Sequence, residues 1–221
     1  MELLPTENHK YLTTNMSFVY LERKAKPNAP LLVLLHGYGS NDADLFSFAE
    51  YIPTSFHVVS LQAPLAMGEN SFAWFPIHFN ESMERWTSPE EVKKATDYIH
   101  DFLSYYTKKH DFDNKEVYLM GFSQGAMLSY AVGLATKNVK GIAALSGYID
   151  PRVVEVTNTT LSSIYVSHGT ADMVVPYAWA EQTVETLKEY GLSPEFHTYP
   201  QGHGINQDNL MSIIQWLKAQ L

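Results

Sequence analysis

A chain of 221 residues, 45% hydrophobic and 18% charged, can bury a sizeable core; that excludes a disordered polypeptide and leads us to expect one domain spanning 1–221. The formal net charge of −9 at pH 7 repels phosphate backbones and anionic surfaces, so no nucleic-acid partner is expected. Cysteine is absent, which removes disulfides, thiolate metal sites and a cysteine nucleophile together.

The first residues, MELLPTENHKYL, carry an acidic Glu2 and no apolar stretch of signal-peptide length. The most apolar run, PLLVLL before His36, is too short to cross a bilayer. We therefore expect a cytoplasmic protein with no stable membrane insertion. Residues Tyr11 to Ala25 alternate loosely and include Tyr, Phe and Val, as strands do, before KPNAP breaks the pattern. Leu31 to Leu35 is continuously apolar, the mark of a strand buried on both faces. It ends in the glycine-rich HGYGSN, after which Asp42 to Tyr51 reads as a helix, with Asn41 and Asp44 as a helix-start pair. HVVSLQAP is a further strand, stopped by Pro64.

From Met67 to Thr87 no period is clean, but Phe72, Trp74, Phe75, Phe79 and Trp86 concentrate there. Ser88-Pro89-Glu90-Glu91 then carries a serine N-cap, a first-turn proline and a glutamate at N3. Val92, Ala95, Ile99, Phe102, Leu103 and Tyr106 follow at helical spacing and predict one buried face. Strands are expected at Glu116 to Met120, Gly141 to Ser146 and Ser163 to Ser167, and helices at Gln124 to Thr136, Tyr177 to Tyr190 and Gln207 to Gln220. In the last, Leu210, Ile213, Ile214 and Leu217 form an amphipathic stripe. Short apolar strands alternating with helices define an α/β protein: a mostly parallel central sheet with helices on both faces. Asp150 to Ser163 is too short to hold a separate lid domain.

Reactive groups in such a sheet gather beyond the carboxyl ends of the strands. The segment EVYLM-GFSQG-A supplies G-x-S-x-G between a strand and a helix, the setting of a nucleophile elbow. A turn that sharp leaves no room for β-carbons two residues either side of Ser123. A serine hydroxyl needs a base to take its proton. Among nine histidines, His9, His57, His78, His100 and His110 fall in terminal, surface-helix or irregular positions. His36 and His168 each follow a strand and precede glycine; both are expected to be structural. His203, in PQGHG just before the last helix, is the expected base.

The base in turn needs an acceptor on its other ring nitrogen. Asp172, in SHGTADMVVP, is the better candidate, and Asp150, after GIAALSGYI, competes from a neighbouring strand end. The chain order Ser, Asp, His is that of the α/β-hydrolases. Backbone N–H groups of Gln124, next to the serine, and of Tyr38, in HGYG, are the expected oxyanion donors. No Walker, dinucleotide or H-E-x-x-H pattern occurs, and Asp111-Phe112-Asp113 is too little for calcium, so no cofactor or metal is expected.

In order, HGYGSN, QAPL, AWF, GFSQGA, SHGTADMVVP and GHGI resemble the phospholipase/carboxylesterase family of small α/β-hydrolases, which includes the acyl-protein thioesterases. The resemblance runs from about Leu31 onward. It implies the α/β-hydrolase fold, the triad Ser123, Asp172 and His203, the oxyanion donors Tyr38 and Gln124, and cofactor-free hydrolysis of esters or thioesters. Two departures stand out: Trp74-Phe75-Pro76 replaces the WFD of thioesterase members, and Ser40-Asn41 replaces their glycine-aspartate. The expectation is a serine carboxylesterase for short- to medium-chain esters, with Trp74 and Phe75 in the acyl-pocket wall. An acyl-protein thioesterase or lysophospholipase is the alternative, and an inactive ligand-binding hydrolase fold a more distant one. The partner is a small ester or thioester; oligomeric state is left open, a homodimer included.

Overall fold

The computed structural model describes residues 9–13, 16–79, 85–110, 116–158 and 161–221. In chain order, the strands before the first long helix are β1 (His9–Thr13), β2 (Met16–Arg23), β3 (Leu31–Leu35), β4 (His57–Leu61), β5 (Leu65–Gly68), β6 (Ser71–Ala73), β7 (His78–Phe79) and β8 (Arg85–Trp86). Those after it are β9 (Val117–Phe122), β10 (Val139–Leu145), β11 (Ser163–Gly169) and β12 (Glu195–Tyr199). The helices are α1 (Asp42–Phe46), α2 (Pro89–Lys109), α3 (Gln124–Ala135), α4 (Tyr177–Glu189) and α5 (Gln207–Lys218).

Eight strands form one sheet in the order β1-β2-β4-β3-β9-β10-β11-β12. The pairs β1–β2 and β2–β4 are antiparallel, and every pair from β4 to β12 is parallel. The alternation of side chains along each strand sorts the core into two layers. Leu31, Val33 and Leu35 join Val59, Leu119 and the apolar faces of α2 and α3. Leu32 and Leu34 join Val58, Met120 and the stripe Ile213, Ile214 and Leu217 of α5. Both faces being covered is why these strands read as unbroken apolar runs rather than alternating ones. The fold is that of an α/β-hydrolase.

Several local expectations change. The alternating stretch from Tyr11 resolves into two strands, β1 and β2, paired antiparallel. The helix expected over Asp42 to Tyr51 is α only to Phe46 and continues as a 3-10 turn over Ser47–Glu50. Asn41 caps α1, but its side chain takes the N–H of Ala43, so Asp44 has no part in that bond. Ser88 occupies the N-cap of α2 in an extended conformation without a side-chain cap bond. The expected buried face of that helix is present at every position named above. In the aromatic stretch, β5–β6 and β7–β8 form two small hairpins. Asp111 to Asp113 lie outside the described residues.

Candidate active site

Ser123 sits between β9 and α3 with φ 55° and ψ −115°, a left-handed backbone that a non-glycine residue adopts only where the surroundings impose it. The flanking glycines show what imposes it. A β-carbon on Gly121 would lie 2.1 Å from the Gly125 carbonyl oxygen, and one on Gly125 would lie 1.9 Å from that of Leu35. Because the obstacles are backbone atoms, they cannot rotate away. The turn lifts Ser123 into a cavity of ≈ 960 Å³ at the carboxyl end of the sheet, which Tyr38, Phe75, Asp150 and His203 also line.

The loops that carry Asp172 and His203 are joined to each other before their side chains meet. Thr170 N–H donates to Tyr199 O and Ala171 N–H to Gln201 O, at 2.8 and 3.0 Å. Gly169 makes this approach possible, since a β-carbon there would lie 2.4 Å from the carbonyl oxygens of both Gln201 and Gly202. Asp172 is thereby brought to His203, whose Nδ1 lies 2.7 Å from Asp172 Oδ2. The N–H groups of Val174 and Val175 donate to Asp172 Oδ1 at 2.8 and 2.9 Å. Burial alone would raise the Asp172 carboxyl, but the bond from His203 and the two backbone donors outweigh it and hold it below the ordinary carboxylate value. The His203 ring packs against Phe122, the residue before the serine, with centroids 4.8 Å apart.

Asp150 also borders the cavity, but its charge is engaged elsewhere. Its Oδ1 accepts from the backbone N–H and Nε of Arg152, and its Oδ2 from Nη2 at 2.6 Å. His36 is fully buried between Gly37 O, 2.7 Å from its Nδ1, and the N–H of Ala63, which donates to its Nε2. Burial lowers its pKa, as suits a neutral ring that ties two loops together. His57, set aside from the sequence as irregular, is instead buried at the amino end of β4, its Nε2 2.7 Å from the Tyr106 hydroxyl. That end of the sheet is remote from the serine.

The N–H groups of Tyr38 and Gln124 make no backbone hydrogen bond among the described residues, whereas that of Gly39 donates to Phe72 O at 2.8 Å. The Gln124 side chain does something the sequence did not suggest. It accepts from Trp74 N–H at 3.2 Å and donates to Phe75 O at 2.8 Å, pinning the aromatic segment beside the serine. This corrects the reading of Trp74. The indole is 2% exposed, belongs to the core, donates its Nε1–H to His36 O at 2.8 Å and does not border the cavity. Phe75 does border it. Phe75 is as buried as Trp74, at 1% exposed, and packs in the same core cluster, so bordering the cavity is what separates the two. No group of three or more His, Asp or Glu among the described residues could hold a metal ion.

Sheet order, elbow and loops define a protein of the α/β-hydrolase class. The sequence profile of the phospholipase/carboxylesterase family matches residues 16–221, and the chain belongs to that family. It is 32% identical over 202 residues to acyl-protein thioesterase 1 of Mycosarcoma maydis, covering 80% of this chain and 84% of that protein. A rice protein (Oryza sativa subsp. japonica) described as a probable carboxylesterase is 30% identical over 219 residues, covering 89% and 80%. Among solved structures, esterase PE8 superposes with a TM-score of 0.82 at 28% identity, over 91% of this chain and 97% of that one.

Proposed function

We propose that the protein is a serine carboxylesterase that hydrolyses short- to medium-chain carboxylic esters through an acyl-enzyme, in a single α/β-hydrolase domain. The observation that carries this reading is the 2.7 Å contact of His203 Nδ1 with a buried Asp172, on loops that open into the same cavity as the strained Ser123. Held in that contact, His203 donates Nδ1–H to the carboxylate and leaves Nε2 free to accept a proton. Ser123 Oγ attacks the ester carbonyl as Nε2 takes its hydrogen. The carbonyl oxygen becomes an oxyanion facing the N–H groups of Tyr38 and Gln124. Its collapse expels the alcohol oxygen, which collects the proton from His203. Water then repeats the sequence on the acyl-enzyme, releasing the carboxylic acid and restoring the serine.

A fluorophosphonate should add once per chain, at Ser123, and Ser123→Ala should abolish both labelling and ester hydrolysis. Triad losses of this kind reach about a millionfold in subtilisin. Folded Ser123→Ala protein that still hydrolyses esters would end this reading. The thioesterase alternative draws on the 32% identity to an acyl-protein thioesterase. A panel of esters and thioesters of increasing chain length separates the two: an optimum at palmitoyl thioesters would replace the carboxylesterase assignment.

A further inference from the structure

We propose that His168 is a positioning residue that acts through Asp172 on His203. The inference rests on the roles given above to Ser123, Asp172 and His203. His168 lies in β11 with no exposed surface, its ring 6.2 Å from that of Tyr177. Its Nε2 is 2.9 Å from Val175 O and 3.4 Å from Asp172 Oδ2. Both neighbours can only accept, so Nε2 carries a hydrogen. Nδ1 is buried and has no partner among the described residues. Nε2–H is therefore the group through which the ring reaches the acid turn.

The geometry makes this imidazole the anchor of the acid turn. Val175 is held twice: its carbonyl by His168 Nε2–H, its N–H by Asp172 Oδ1. With Val174 N–H on the same oxygen, the backbone fixes Oδ1, while Oδ2 faces His203 at 2.7 Å and, more distantly, His168 at 3.4 Å. Losing the anchor frees the 172–175 turn and lets the carboxylate swing.

The test compares His168→Leu, which removes the donor, with His168→Gln, whose amide N–H reaches the place of Nε2. Activity is counted per site titrated by fluorophosphonate, so misfolded chains do not contribute. The Leu variant should lose roughly 10- to 100-fold in kcat with KM near wild type, as a small misplacement of a catalytic group does. The Gln variant should recover most of that loss. The far-downfield proton resonance of His203 Nδ1–H should persist in wild type and Gln variant and broaden away in the Leu variant. If the Leu protein does not fold, His168→Asn, one bond too short to reach Val175 O, takes its place. Wild-type kcat in the donor-less variant, a loss confined to KM, or a Gln variant no better than Leu overturns the proposal. Asp172→Asn and Ser123→Ala run alongside: if they stay active the underlying mechanism fails, and if they alone lose activity only the role of His168 fails.

Discussion

Two carboxylates stand at neighbouring strand ends, and what each one faces separates them. Asp172 faces an imidazole and two backbone N–H groups, while Asp150 is saturated by Arg152. Asp172→Asn should therefore cost up to about four orders of magnitude in kcat, because an amide can hold His203 in the wrong tautomer. Asp150→Asn should change kcat little. The opposite ranking in steady-state kinetics would assign the acid to Asp150. Gly125→Ala is a backbone test: with its β-carbon driven 1.9 Å from Leu35 O, we expect destabilisation of at least the 1–3 kcal/mol typical of overpacking, read from urea unfolding. Ser123, Asp172 and His203, the proposed triad, could be nominated from the sequence because each is tied to a local pattern: glycines, a strand end, a helix start. His168 and the Gln124 side chain could not. Their roles depend on ring and amide orientation across elements distant in sequence, and no local spacing encodes that.

The aromatic segment divides its labour between adjacent residues. Trp74→Ala should lower stability by about 3–5 kcal/mol and depress hydrolysis of every ester alike, since it empties a core position. Phe75→Ala, at an equally buried core position, should also lower stability but in addition shift the acyl chain-length optimum, because Phe75 borders the cavity. Each buried methylene contributes about 0.8 kcal/mol, so a deeper pocket moves the peak of the series toward longer chains. A uniform drop for Phe75→Ala would remove it from the pocket wall. Helix caps make a second comparison. Asn206 accepts the N–H of Asn209 at the start of α5, whereas Ser88 makes no cap bond at α2. Asn206→Ala should cost about 1 kcal/mol and Ser88→Ala much less. The Ser-Pro-Glu-Glu sequence located the start of α2 correctly but overstated its cap, since a motif gives composition and not the rotamer. The region from Met67 to Thr87 resisted reading because two- to four-residue hairpin strands are shorter than any period needs.

Across the molecule, buried ionisable groups set how stability responds to acid. Burial would raise Glu22, but hydrogen bonds from His57, Tyr106 and Lys24 outweigh it and hold the carboxylate well below its ordinary value of 4.5. Asp150 and Asp172 are likewise lowered from 3.8, burial being overcome by their donors. Burial lowers His36, His100 and His110 from 6.5. In each of these cases the unfolded chain binds protons more readily than the native one, so acidification favours unfolding; Asp42, raised by burial, opposes them. Unfolding free energy should begin to fall as pH drops below about 6.5, through the histidines, and fall faster below about 4.5, through the carboxylates. Urea titrations from pH 8 to pH 4 check this, and a flat profile would contradict it. The sheet as a whole was readable because burial on both faces writes itself into β3, β4 and β9 to β11 as apolar runs. The order of the strands was not, since apolar runs do not name their neighbours.

That order carries a kinetic consequence. The strand bearing the elbow, β9, hydrogen-bonds to β3, whose Leu31 lies opposite Val117 with the whole of β4 to α2 between them in sequence. Closing so long a loop costs entropy before any contact repays it, which makes such pairings slow. Helical turns, by contrast, close between residues only four apart in sequence. On refolding from urea, far-UV ellipticity should therefore return first and competence for fluorophosphonate labelling last. A covalent probe of the serine thus doubles as a clock for the final, long-range step of folding, and simultaneous recovery of both signals would show that the central pairing forms with the helices rather than after them.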